Sequence, residues 1–310
     1  MKKAVKLNDR KISDLIFFIA LIIIPVIHFL IFYIGVNFNS ILLALKTFDP
    51  ETVTFYYSGF NNFADFIRDL FQDLVMRQSL INSVILYFVG LLIAFPLNVF
   101  ISYMLYKQVP CTKVFRVILF LPQILSSIIM STMFKFFVDR GFPSMLEMLF
   151  HIPKESLPTF LVDRSTAFGT IMFYGIWAGF GTQLIVYSSA MSRVPESLSE
   201  YGKLEGLSFM REFFMITLPL IFPSLQPFLI AGVAGFFTNQ AHVFNFYGTG
   251  ADYNLYTLGY LFFTRTVQDE NTFVSYPYLA AGGLLFTAVA APITLGLRRL
   301  LEKVAPAIEY

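Results

Sequence analysis

The side chains that carry out most protein chemistry are scattered in this chain. His28, His151 and His242 fall in three separate segments, and Cys111 is the single cysteine. A hydrolase needs a nucleophile beside a base, and a structural or catalytic zinc needs three or four clustered ligands. Neither grouping can be assembled from neighbours in the sequence. His28 lies deep in an apolar run and reads as facing a helix bundle, and His151 reads as exposed. His242 reads either as lining a path or as sitting at the headgroup level. No GxxxxGK[ST] loop is present, so the sequence holds no phosphate cradle of that kind. The expectation is no catalytic residue, no metal ligand and no cofactor bound by this chain.

The apolar stretches do carry uncharged polar and aromatic groups. Gln123, Ser127, Trp177, Gln183, Gln226 and Asn239 are the candidates for contact with a solute, and Asn98 and Ser102 belong to the same inventory. Amides and hydroxyls bond sugar hydroxyls, and rings cover C–H faces. The set suits a neutral polyol. The same side chains also serve as hydrogen-bonding glue between membrane helices.

A second segment, residues 195–208, carries a different signal. Pro195 and Glu196 suit the first turn of a helix, where proline is tolerated and an acid meets the positive helix end. Leu198, Tyr201 and Leu204 recur at helical spacing and make one apolar stripe. Gly206 can take positive φ and end the helix. A short helix of this kind is either a handle for a partner or an interfacial helix packed on its own bundle.

The elements that position these groups follow from composition. The chain has 310 residues, 56% hydrophobic and only 14% charged, against about 25% charged in an ordinary soluble domain. A cytosolic globule could hardly hide that apolar surface. Six runs, beginning near Leu15, Val84, Val117, Ser165, Phe213 and Asn271, have the length and hydropathy of membrane helices. The first is too long for a signal peptide and lacks a small-residue cleavage pattern. Of the 22 Lys and Arg, 14 fall in the N-terminal segment, two alternate connections and the C-terminal tail. The positive-inside rule therefore puts both termini in the cytoplasm. The expected layout is a cytoplasmic segment 1–14, a first span 15–46 and an outer loop 47–80 with an interfacial helix. A core 81–299 with the short helix at 195–208 follows, and then a tail 300–310.

Residues 195–208 resemble the cytoplasmic loop of binding-protein-dependent ABC importer permeases. That family pattern is Glu-Ala-Ala, three residues, Gly, nine residues, then Ile-x-Leu-Pro. Glu200 and Gly206 stand at its spacing, followed by Ile216, Leu218 and Pro219. Tyr201 and Gly202 replace the alanine pair, Glu205 the usual aspartate, and Leu207 the usual alanine after the glycine. The likeness extends to Asn82-Ser83, Phe115-Arg116, Leu119-Phe120-Leu121-Pro122, Ile176-Trp177, Phe180-Gly181, Tyr187 and Tyr278. These are similar to the carbohydrate (multiple-sugar and maltose-type) branch in a compact six-helix form. The Gly-Gly-Pro of that branch is missing near Asn245, where Phe246-Tyr247-Gly248-Thr249-Gly250 stands instead.

The resemblance implies an all-α polytopic protein of the bacterial cell membrane, with six transmembrane helices in the type I ABC importer permease fold. It implies that Glu200, Tyr201, Gly202, Glu205, Gly206 and Leu207 dock on an ATPase. The partners it implies are a second homologous permease, two copies of a cytoplasmic ABC ATPase that hold ATP and Mg2+, an extracytoplasmic solute-binding protein and a sugar. Glycerol phosphate, a peptide or another polar solute stays open as the cargo. An uncoupled channel or a structural membrane subunit stays open as a different class.

Overall fold

In the computed structural model, residues 2–270 and 272–304 are described, with side chains from Ile12 onward. Asn271, the basic side chains of residues 2–11 and the tail beyond Val304 lie outside the described residues. The chain divides into two compact units, residues 1–67 with 268–285 and residues 68–267 with 286–310.

The first unit opens with α1, a helix whose membrane-length portion is Ile12–Ala44. Every side chain from Ile12 to Asn39 is exposed, and nearly all are apolar. Such a surface is stable only in lipid or against another protein. His28, expected to face a bundle, instead lies exposed on this helix with its ring 4.8 Å from Phe32. A hairpin follows, β1 Lys46–Asp49 against β2 Thr54–Tyr57, in register Lys46 to Tyr57 and Asp49 to Thr54. The Asp49 carboxylate closes the turn by accepting from the Glu51 N–H at 3.0 Å and the Thr52 hydroxyl at 2.7 Å, the local bonding that favours Asp at turns. The outer loop expected at 47–80 does contain a helix, α2, Asn61–Gln72. Its buried Asn62 donates to the Ala44 and Lys46 carbonyls at 2.9 and 2.6 Å.

The second unit holds most of the bundle. Its helices are α3 Leu74–Tyr106, α4 Thr112–Ile124, α5 Ser127–Phe150, α6 Ala167–Met191, α7 Glu196–Leu204 and α8 Phe209–Thr238. After these come α9 Val243–Tyr247, α10 Leu258–Gln268 and α11 Tyr276–Val304, whose residues from Phe286 onward belong to this unit. Among the described residues, α1, α3, α6, α8 and α11 are long and apolar enough to cross a membrane.

The third expected span is not one straight helix. The run Val117–Phe134 is split between α4 and α5, which meet at 118°. Pro122 lacks the N–H that would continue the ladder. Leu125 is extended, and the Ser126 hydroxyl caps α5 by accepting from the Ile129 N–H at 3.4 Å. Hydropathy reads across this break because the residues around it are uncharged and, apart from Gln123, apolar or small.

In the second unit three helices widen locally, at Gly90–Ala94, Phe137–Gly141 and Phe213–Thr217. Each widened turn ends two residues before a proline: Pro96, Pro143 and Pro219. Proline removes one donor and its ring crowds the preceding turn, so the ladder adjusts by taking i→i+5 bonds.

At the end of the unit opposite α7, the start of α3 is stitched to the segment before α10. Asn82 is 2% exposed and donates to the Asn254 and Tyr256 carbonyls at 2.7 and 2.8 Å. The Ser83 hydroxyl accepts from the Leu258 N–H at 2.9 Å. The Tyr260 hydroxyl donates to the Gly248 carbonyl at 2.7 Å, fixing the 246–250 segment. Asn82→Leu leaves two carbonyls without their donor. The expected loss is about 2 kcal/mol, read as a lower midpoint of thermal unfolding in detergent; an unchanged midpoint would show that this stitch does not hold the loop.

Candidate docking helix and transmembrane cavity

Helix α7 begins after Pro195 and ends in a turn built from backbone geometry. Gly206 has φ +76°, its N–H donates to the Lys203 carbonyl at 3.0 Å, and the Leu207 N–H donates to the Gly202 carbonyl at 2.9 Å. These two bonds make a Schellman cap, which requires the left-handed residue that glycine supplies without steric cost. A Cβ at Gly202 would lie 3.0 Å from Ile216 Cδ1 and 3.1 Å from Leu207 Cδ1. The smaller residue at 202 therefore makes room for the larger one at 207.

The rest of α7 is bare. Leu198, Tyr201 and Leu204 are 37%, 66% and 82% exposed, and Glu200 and Glu205 are also at the surface. Gly202 is the one residue of α7 that is buried. The apolar stripe thus points away from the helix bundle of its own unit. The helix is tied back through Ser199. Its hydroxyl donates to Glu212 Oε1 at 2.6 Å and accepts from Lys107 Nζ at 2.8 Å, while Lys107 and Glu212 form an ion pair. The sequence carries one clue to this cluster: Glu212 is an acid at the very edge of an apolar run, where a charge needs a partner.

A cavity of about 320 Å³ lies among α3, α6, α8 and the residues that follow α8. Gly90 and Asn98 of α3, Gly179, Gln183 and Tyr187 of α6, and Phe228 and Gly232 of α8 belong to its wall, and Asn239 and His242 line one end. No Lys, Arg, Asp or Glu lines it. Burial pushes the His242 imidazole below its ordinary range, so the wall carries no charge at neutral pH. Asn98 Oδ1, Gln183 Oε1 and the Tyr187 hydroxyl make no hydrogen bond within the protein, and all three residues line this one cavity. Buried polar atoms without partners are uncommon in folded proteins.

Of the six residues expected to meet a solute, Gln183 and Asn239 line the cavity. The other four are engaged elsewhere. Gln123 donates to the Ala178 carbonyl at 2.7 Å and accepts from the Thr182 hydroxyl at 3.0 Å, which ties α4 to α6. Ser127 accepts from Asn245 Nδ2 at 3.2 Å. Trp177 packs near Phe134 and Tyr174, with ring centroids 6.1 and 6.3 Å away. Gln226 donates to the Leu301 carbonyl at 3.3 Å and links α8 to α11. Asn98 and Tyr187 belong to the wall instead, because they sit on the facing seams of α3 and α6.

The site is a broken-helix bundle around an uncharged cavity, with a short exposed helix between two long apolar helices. No family model matches the sequence. The chain is 27% identical over 224 residues to the probable ABC transporter permease protein YurN of Bacillus subtilis, covering 68% of this chain and 70% of that one. It is 30% identical over 189 residues to the maltose/maltodextrin transport system permease protein MalF of Salmonella typhimurium. That match covers 59% of this chain but 35% of MalF. The fold matches two structures of a bacterial alginate ABC transporter with TM-scores of 0.72 and 0.75, at 21% and 20% identity. Each match covers 96% of this chain and 98% of the other. The chain is thus similar to ABC transporter permeases and shares the fold of a solved importer subunit, with several helices long and apolar enough to cross a membrane.

Proposed function

We propose that this chain forms one half of the membrane path of an ATP-driven carbohydrate importer and that α7 docks on a separate cytoplasmic ATPase. The exposed stripe of α7 carries the docking reading. A leucine 82% exposed on a helix that buries only a glycine supports a partner that covers it. Glu200, Tyr201 and Glu205 lie at the surface beside that stripe, and the turn made by Gly202, Gly206 and Leu207 sets its angle. Both termini face the cytoplasm in this arrangement. One α7 per chain implies a second permease, so that two ATPase copies have two docking points.

The cavity supports the carbohydrate reading. Its amides, hydroxyls and rings match a neutral polyhydroxy solute, and it offers no fixed cation for a phosphate or carboxylate. The names of the relatives, maltose/maltodextrin for MalF and the acidic polysaccharide alginate for the solved transporter, point to carbohydrate as a class, and the uncharged wall favours its neutral members. A solute-binding protein delivers the sugar, and ATP-driven closure of the ATPase pair moves α7 and opens the cavity inward.

The test is to purify the chain with its membrane partners, weigh the complex and measure ATP hydrolysis in liposomes. The expected complex contains a second permease and two ATPase copies, and neutral oligosaccharide with the binding protein stimulates hydrolysis. A complex that transports without any ATPase would overturn the importer reading. Stimulation by a peptide or another solute that is not a carbohydrate, with none by sugars, would overturn the carbohydrate reading alone.

A further inference from the structure

We infer that Lys107, Ser199 and Glu212 form a transmission joint that makes α3, α7 and α8 move as one body at the docking-helix end. The inference rests on the docking role of α7 proposed above. The three residues come from three elements: Lys107 directly follows α3, Ser199 is in the middle of α7, and Glu212 lies in the first turns of α8. Among the described residues, Ser199 is the one α7 side chain hydrogen-bonded to another element. Glu212 is 6% exposed, and one of its carboxylate oxygens accepts from both Lys107 and Ser199. Charge-assisted bonds in a buried site are stronger and more directional than those of a surface pair. Removing one partner leaves the other charge buried without compensation.

The surroundings make the joint stiff. Lys107 Nζ lies over the rings of Tyr103 and Tyr106 at 5.7 and 5.6 Å. The Tyr103 hydroxyl donates to the Phe209 carbonyl at 3.3 Å, a second tie between α3 and the start of α8. Val99, Tyr103, Tyr187 and Phe213 pack in one apolar cluster just beyond it. Through α3 the joint reaches Asn98 and Gly90, and through α8 it reaches Phe228 and Gly232, all on the cavity wall. A displacement of α7 is therefore delivered to two walls of the cavity at once. Lys107 and Glu212 are positioning residues in this scheme, since they act on the solute path only through the helices they hold.

The joint is tested with Ser199→Ala, Lys107→Met and Glu212→Gln in the full complex. Hydrogen–deuterium exchange of residues 196–204 reads the joint directly, with residues 258–268 as a distant control. The expected result is exchange about tenfold faster in 196–204 and unchanged in the control. Solute transported per ATP should fall severalfold while basal hydrolysis persists, and Ser199→Thr, which keeps the hydroxyl, should restore both readings. Exchange within twofold of the parent in all the variants that assemble, Ser199→Ala being the mildest, would overturn the inference. If the parental complex showed no ATP-linked transport, the proposed function would fail while the exchange measurement still judged the joint.

Discussion

Gly206→Val is expected to reduce solute-stimulated ATP hydrolysis about tenfold while leaving the membrane bundle assembled. The residue sits at φ +76° in the cap that ends α7. A β-branched side chain in the left-handed region costs about 1–2 kcal/mol, and about 1.4 kcal/mol is a factor of ten in a population. The native turn, and the angle at which α7 presents Tyr201 and Leu204, would become a minor state. No neighbour lies within 4 Å of a Cβ at Gly206. The effect is therefore one of backbone conformation, and the packing of the spans is untouched. Gly206→Asn should fall between parent and Val, because asparagine tolerates this region better than β-branched residues do. Size-exclusion profiles would confirm assembly, and hydrolysis by the assembled complex is the readout. A Val variant with parental stimulation would show that the geometry of this turn does not matter to coupling.

A second large effect is expected from the pair Gly202 and Leu207, and it should be non-additive. Gly202→Ala places a methyl 3.0 and 3.1 Å from the ends of Ile216 and Leu207. Overpacking of this kind costs about 1–3 kcal/mol, and the lower end applies here because both neighbours are flexible side-chain tips. Stimulated hydrolysis should drop severalfold. Adding Leu207→Ala to the same chain removes one of the two clashing tips and should recover most of the loss. The interaction energy of the cycle should be about 1 kcal/mol, in the favourable direction. Thermal midpoints and stimulated hydrolysis of the two single variants, the double variant and the parent complete the test. Strictly additive losses would mean that the two residues do not compensate each other.

That pair also marks where sequence reading stops. Read along the chain, Gly202 and Leu207 are two separate departures from the alanines of the importer pattern. In the folded protein they form one size exchange, visible only once the cap brings residue 207 over residue 202. The same holds for the joint at the docking-helix end. Lys107 counts as a basic residue of a connection in the sequence, Ser199 carries no signal, and the position of Glu212 at the edge of an apolar run says that it needs a partner but not which one. Their contacts span 92 and 105 residues. No local pattern encodes a contact at that separation.

Other features were legible because their physics is local. Hydropathy sums along a run, so α1, α3, α6, α8 and α11 follow from the apolar stretches near Leu15, Val84, Ser165, Phe213 and Asn271. The helix at 196–204 and its end at Gly206 follow from proline, periodicity and glycine. Periodicity and hydropathy did not reveal the 118° break between α4 and α5, because a serine cap replaces one helical bond without changing the apolar character of the run. They did not reveal the hairpin at 46–57 either, where Thr, Phe and Tyr favour a strand and the turn is closed by the Asp49 side chain. The polar residues divide in the same way. Their types mark them as able to bond a solute or another helix, and type alone cannot choose. Tertiary structure separates them by position, with Asn98, Gln183 and Tyr187 around one cavity and the amides of Gln123 and Gln226 bonded to neighbouring backbone. The choice depends on which helix faces which, and that is set by packing across the whole bundle.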